Sequence, residues 1–315
     1  MSCAVTIRRY EAGDAAGWNA FVAAAKNGTF LHDRGFMEYH ADRFTDHSLI
    51  AEMDGKTVAL LPASRHGDEL QSHGGLTYGG LVTGPAMSAA LMLDVIKALG
   101  GALRSAGISC LRYKAIPHIF HRCPAEEDLY ALMRAGARPV RSDLASVIAA
   151  SRSPGFSKSK RQGARRAGKA GLRVVEMEDF TPFWEILTAR LGEAHQAAPT
   201  HSLEEIRLLQ SRFPDRIRLL AAVDDRGVQG GIVTFDCDPA LHAQYMATTE
   251  DGRRNGALDL IVSDLADRGF GGRDWFSFGI STTDGGRELN TGLARQKEMF
   301  GARSIVFTHY EWHLG

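Results

Sequence analysis

The stretches Leu49-Ile-Ala-Glu-Met-Asp-Gly-Lys-Thr-Val-Ala-Leu-Leu61 and Leu219-Leu-Ala-Ala-Val-Asp-Asp-Arg-Gly-Val-Gln-Gly-Gly-Ile-Val233 share one pattern. Each is an apolar strand, a tight aspartate-containing turn and a second apolar strand, which predicts a β-hairpin. Working outward, the surroundings repeat too. A strand and an aromatic helix precede each hairpin: Ala4–Arg8 with Trp18 and Phe21, then Leu172–Glu176 with Phe183 and Trp184. A polar-aromatic strand follows each, Leu70–Tyr78 and Leu241–Thr248. Next come predicted helices Ala89–Ser105 and Gly256–Arg268, strands Ser109–Lys114 and Asp274–Ile280, and helices Ala125–Ala135 and Gly286–Phe300. Both last helices stop at Gly-Ala-Arg, residues 136–138 and 301–303, with glycine where a helix C-terminus favours it. A closing strand ends each copy.

The repeated order β-α-β-β-β-α-β-α-β predicts an internal duplication of one α/β unit, a mixed sheet flanked by helices. The expected domains are residues 1–150 and 172–315, packed with a cleft between them. Residues 151–171 join them as a basic linker helix, with Lys158, Arg161, Arg165 and Lys169 on one face.

A chain of 315 residues suits two cores. Lys and Arg total 37 and Asp and Glu total 37, so no global charge argues for DNA or a membrane surface. Cys3, Cys110, Cys123 and Cys237 are scattered, suggesting neither a disulfide framework nor a zinc site, and a reducing cytoplasm is the simplest home. The N-terminus has no apolar signal core. The most apolar window, Met87–Leu103, contains Asp94 and Lys97 and is too short to span a bilayer. No phosphate loop, dinucleotide turn or HExxH helix is present. His73-Gly74-Gly75 is similar to a hydrolase oxyanion loop, but no GxSxG elbow accompanies it.

The duplicated unit resembles the acetyltransferase fold of the GNAT superfamily, and the whole chain resembles the FemAB-type proteins that fuse two such domains. The stretches that carry the resemblance are Phe30–Phe36 with Tyr39-His40, Ser72–Gly80, Arg112–Pro117, the basic linker, Leu289–Leu293 and Gln296–Gly301. It implies transfer of an acyl group to an amine, from acyl-CoA to a nucleotide-linked amino sugar in some relatives and from aminoacyl-tRNA to a peptidoglycan precursor in others. The expected function is the former, with small-molecule substrates and no metal; the tRNA-dependent transferase and an inactive binding protein are the alternatives. The coiled-coil arm of many tRNA-dependent members is missing.

In relatives a lysine in a Lys-x-x-Phe-Gly context steadies the oxyanion, which implies that role for Lys297; a solvated lysine near a helix C-terminus is the plain alternative. Asn290 is expected on the same helix face as a substrate contact. Glycines between His73 and Gly80 allow close backbone approach to a ligand or simply positive φ angles. His73 is a candidate base for the attacking amine, with Tyr78 beside it. Lys114, at a strand end, suits an anion or an acidic neighbour. His32, Arg34 and His201 are further substrate candidates, as are Lys158 and Arg161 for a pyrophosphate or a tRNA backbone.

GNAT proteins grip the CoA pyrophosphate at a Gln/Arg-x-x-Gly-x-Gly/Ala turn. The matching place reads Gly252-Arg253-Arg254-Asn255-Gly256-Ala257, where Arg253 and Gly256 fit and Leu258 departs. Arg253, Arg254, Asn255 and Gly256 are therefore the expected donor-binding turn. Thr83-Gly84-Pro85 in the first copy has no arginine, which puts CoA on the second copy and the acceptor on the first. Gln244 and Tyr245 lie on the strand that would line the acyl arm, and alternation lets only one of them face it.

Overall fold

Each half of the sequence folds around its own hairpin, and each takes its closing strand from the other half. The computed structural model describes residues 4–195 and 198–315; Cys3 lies outside the described residues.

The first unit is Met1–Asp143 with Gly285–Arg287 and Val306–Gly315. It opens with β1 (Thr6–Arg9), α1 (Ala15–Ala24), the short α2 (Arg34–Met37), β2 (Leu49–Met53) and β3 (Lys56–Leu61). The β2–β3 hairpin turns at Asp54 and Gly55, both at positive φ (53° and 70°). Then come β4 (Ser64–His66), β5 (Glu69–Ser72), β6 (Val82–Thr83), α3 (Ala89–Ser105), β7 (Cys110–Lys114) and α4 (Glu127–Arg134). One sheet has the order β1-β2-β3-β6, while β4, β5 and β7 run side by side in another. Apolar faces of α3 and α4 close over them, burying Ile96, Leu99, Leu111 and Leu132.

The expected strand Leu70–Tyr78 ends at Ser72. Its glycines are the cause. The backbone of Gly74 and Gly75 lies against the rings of Phe44 and His40, and a Cβ on Gly75 would sit 2.0 Å from His40 Nε2.

The second unit is Leu144–Asp284 with Glu288–Ile305. From Leu144 on it takes β8 (Arg138–Ala149), followed by α5 (Lys158–Lys169), β9 (Arg173–Met177), α6 (Thr181–His195), α7 (Leu203–Arg212), β10 (Ile217–Asp224) and β11 (Gly227–Asp236). After these come β12 (Ala240–Thr248), α8 (Glu250–Asn255), α9 (Ala257–Asp267), β13 (Trp275–Ile280), β14 (Thr282–Thr283), β15 (Glu288–Leu289), α10 (Thr291–Glu298) and β16 (Arg303–His313). Its strands run β8-β13-β12-β11-β10-β9. Ile232, Ile261, Phe276 and Phe300 belong to its core.

In the second repeat three elements also differ from the sequence pattern. Helix α7 is additional, started by a capping box between Ser202 and Glu205. The helix expected from Gly256 is preceded by α8, because Gly256 at φ 88° breaks the run. The helix expected from Gly286 starts at Thr291, because Asp284, Gly285 and Gly286 at positive φ form the turn of the small β14–β15 hairpin.

The closing strands are exchanged. Ala149 and Ile148 of β8 pair with Trp275 and Phe276, and Trp312 and Tyr310 of β16 pair with Leu111 and Tyr113 of β7. Alternation of apolar residues specifies a strand and its faces but not its neighbour. Trp312 thereby enters the first core, with its ring N–H donating to Ala135 O at 3.0 Å. We expect Trp312→Ala to remove about 3–5 kcal/mol, read as lost amide exchange protection in α3 and α4 while β10 and β11 stay protected. Equal loss in all four elements would contradict this assignment.

Candidate functional site

Strands β12 and β13 are parallel and pair only over Ala240–His242 and Trp275–Ser277. Beyond that row both change course. Gln244 is an extra residue on β12, where the register with β11 steps from Val233↔Tyr245 to Thr234↔Ala243. Gly279, at φ 70°, lies where β13 slips against β8 between Ser277 and Ile280. A bulge leaves a residue outside the ladder and sharpens the local twist. Among the described residues the two strands make no further pairs, which leaves a slot in the hydrogen-bond ladder toward their carboxyl ends, where parallel sheets present ligands. Backbone groups released from the ladder seek other partners, which suits an extended, amide-bearing ligand.

Helix α10 delivers Lys297 to this slot. The helix begins at Asn290, whose side-chain oxygen accepts from Leu293 N at 2.9 Å. Asn290 is thus the helix cap, exposed, rather than a residue on the inward face. Ala294 and Lys297 are the buried positions of α10. Lys297 Nζ donates to Gly279 O at 3.0 Å and Ile280 O at 2.7 Å. An ammonium has three protons, and the third has no acceptor among the described residues. Among the described residues no carboxylate pairs with it, and burial pushes its pKa down to about 8. His242 lies alongside, its Nδ1 3.1 Å from Ser277 Oγ. Burial, then the charge of Lys297, holds His242 down to about 4.

On the β12 side the Tyr245 hydroxyl lies 2.6 Å from His201 Nδ1, and Trp184 packs edge-on at 5.1 Å. Burial raises the pKa of Tyr245, so it remains a phenol. The side-chain oxygen of the bulged Gln244 is buried without a hydrogen-bond partner among the described residues. His242, Ser277 and Gly279 had no sequence signal, since only strand pairing gathers them.

Helix α8 ends with Arg253, Arg254 and Asn255, and Gly256 separates it from α9. Arg253 and Arg254 are exposed and paired with Glu250 and Asp251 one turn earlier. Helix α5 packs on α9: an added Cβ on Gly163 would meet Asp259 Oδ2 at 1.9 Å, and Lys160 pairs with Asp259 at 2.7 Å. The start of α9 is therefore already occupied by α5. Lys158, Arg165 and Lys169 point outward, and Arg161 donates to Phe156 O.

The first-unit candidates are knitted into the interior. Arg34 is buried over the Tyr10 ring, 3.7 Å from its centroid, and bonds Glu38, Ser48 and Asp46. His32 is fully buried and desolvation takes its pKa to about 3. The Tyr78 hydroxyl bonds Thr29 Oγ1 at 3.2 Å while its ring stacks on Phe120. Lys114 donates to His73 O, Gly74 O and Leu76 O at 3.1, 3.0 and 2.9 Å, so it holds the glycine loop and all three protons are engaged. Burial lowers His73 to about 3, and a base that weak holds no proton at neutral pH. Gly74 and Gly75 make room for Phe44 and His40, while Gly79 and Gly80 lie against Ser72 O and the Tyr113 hydroxyl.

Among the described residues no His, Cys, Asp or Glu cluster could hold a metal ion, and no helix is long and apolar enough to cross a membrane. No family model matches the chain, and no curated protein matches its sequence. Solved structures match along its length. A structure of FemX superposes with a TM-score of 0.70 at 10% identity, covering 98% of this chain and 97% of that one. The fold is FemX-like. L-PGS from Bacillus licheniformis gives 0.62 at 11% identity over 97% of this chain and 92% of that one. A tandem GNAT protein from the clavulanic acid biosynthesis pathway, solved without AcCoA, gives 0.52 at 11% identity over 99% of each. The FemX-like fold thus consists of two GNAT-like domains, and likeness at such identity concerns fold rather than chemistry.

The Gly279 bulge that serves Lys297 requires a positive φ. Gly279→Ala should cost about 1 kcal/mol, a fall of about 2–4 °C in Tm by calorimetry. An unchanged Tm would show that the bulge imposes no constraint.

Proposed function

We propose that this FemX-like protein is an N-acyltransferase that moves an acyl group from acyl-CoA to a small amine, such as a nucleotide-linked amino sugar, in the slot beside β12 and β13. The supporting observation is Lys297: a buried cation, paired with no carboxylate among the described residues, held by two backbone carbonyls with a proton to spare. In this scheme the amine attacks the thioester carbonyl directly, forming the C–N bond. Lys297 donates to the oxyanion, in a setting where low dielectric strengthens the interaction. Collapse breaks the C–S bond. The thiolate takes a proton from the Tyr245 phenol, and the proton lost by nitrogen restores it through His201. Arg253 and Arg254 can turn to a pyrophosphate, since exposed pairs such as theirs hold weakly.

Lys297→Leu should lower kcat about a hundredfold without unfolding the protein. Leu132, four residues before Gly136 just as Lys297 is four before Gly301, already fills that position in the first unit as buried leucine. A wild-type turnover number in this variant would remove Lys297 from the mechanism. The ammonium is present below its pKa of about 8 and is lost as pH rises through it, so kcat should fall on the basic side near there. In Lys297→Arg the guanidinium stays charged and that fall should move to higher pH; a profile superposable on wild type would contradict the assignment.

A second donor, aminoacyl-tRNA, is supported by the FemX similarity and by α5, whose exposed Lys158, Arg161, Arg165, Arg166 and Lys169 include no acid among them. Thermal shifts separate the two. We expect acyl-CoA to raise Tm; stabilisation by tRNA alone would select the second donor.

A further inference from the structure

We propose that the α3–α4 face of the first unit is a docking surface for an anionic lipid bilayer. A groove of about 440 Å³ runs between these helices, floored by Ile96, Gly100, Ala131 and Trp312. Gly100 is needed there, because an added Cβ would meet the Trp312 ring at 2.8 Å. Lys97 and Arg104 from α3 and Arg134 from α4 form its rim, and among the described residues no acidic one lines it. Asp94 is exposed on α3 but lies outside the lining. None of the three cations has a hydrogen bond or ion pair among the described residues, whereas Arg8, Arg112, Arg226 and Arg273 all pair with carboxylates.

Large apolar side chains stand beside these cations. Leu93 is 40% exposed, Tyr130 56% and Met133 60%. On α3, Leu93, Lys97, Gly100 and Arg104 recur at helical spacing, and on α4 Tyr130 and Met133 sit next to Arg134. Exposed apolar groups clustered on one face mark an interaction surface. With unpaired cations among them, the chemistry fits the headgroup boundary of a bilayer: the cations meet phosphates, the phenol sits at the interface, and the thioether and leucine enter the acyl layer. A single bound molecule would use the groove but leave Met133 outside it, and a nucleic acid would have no use for Leu93 or Met133.

Co-sedimentation of the full chain with vesicles tests this. Wild type should partition onto phosphatidylcholine vesicles containing phosphatidylglycerol and not onto phosphatidylcholine alone. K97E/R104E/R134E should lower partitioning at least about a hundredfold, from roughly a factor of five per lost cation. Y130S/M133S should lower it about tenfold with charge unchanged. R165E/R166E on α5, an equally basic face elsewhere, should leave it unchanged. All these positions are exposed, and matching circular dichroism and Tm establish that the variants fold; the single Y130S variant serves if the triple does not. Failure of wild type to bind anionic vesicles would overturn the proposal. So would a loss confined to R165E/R166E, or a water-soluble short-chain phosphatidylglycerol binding as tightly as the vesicles, which would indicate a one-molecule pocket.

Discussion

A lysine ammonium stays inside a protein only where oxygen atoms face it, and for Lys297 these are the last two carbonyls of β13. That contact depends on Gly279, whose positive φ bends the strand end and presents both carbonyls to α10. The same bend, with the bulge at Gln244, parts β12 from β13 after His242. Backbone geometry, an open slot and a cation of lowered pKa are therefore one feature. With no carboxylate paired with it among the described residues, the charge remains available to an oxygen that enters the slot.

The two repeats share an order of elements and differ in how they treat buried polarity. At the position of Lys297 the first repeat has Leu132, sealed in its core. Several of its polar groups are absorbed by structure, although His32 Nε2, His121 Nδ1 and Glu127 Oε2 are buried with no hydrogen-bond partner among the described residues. Tyr113 takes the N–H of Leu81 and donates to Asp128, whose carboxyl is fully buried and raised to about 6 by desolvation. Lys114 ties down the loop before it, and Arg34 is boxed in by an aromatic ring and two carboxylates. Such networks are fully satisfied and fix one arrangement. In the second unit the Gln244 side-chain oxygen and the third proton of Lys297 lack partners among the described residues, in the region where β12 and β13 stop pairing.

Helix α5 shows how one sequence stripe divides by burial. Gly163 and Ala167 face α9, and Lys160 reaches inward to Asp259 while its ammonium lies 4.2 Å from the Phe300 ring centroid. The remaining cations stay on the outer side. Four-residue spacing found the charged face but not the inner lysine, because its partner lies 99 residues away.

Sequence alone determined the duplication, the hairpins, most helices and the placement of Lys297 four residues before a helix-ending glycine. These are local matters of periodicity, turn residues and caps, written within a few neighbours along the chain. The glycine-rich stretch 73–80 has the composition of a ligand loop; two of its glycines, Gly74 and Gly75, also make room for Phe44 and His40, and burial lowers the basicity of His73. Only the tertiary structure decided which strand each closing strand joins, that His242, Ser277 and Gly279 gather around Lys297, and that Asn290 caps a helix rather than faces the slot. Strand pairing, desolvation and the splay of two parallel strands depend on contacts between residues far apart in the chain, and no local pattern encodes them.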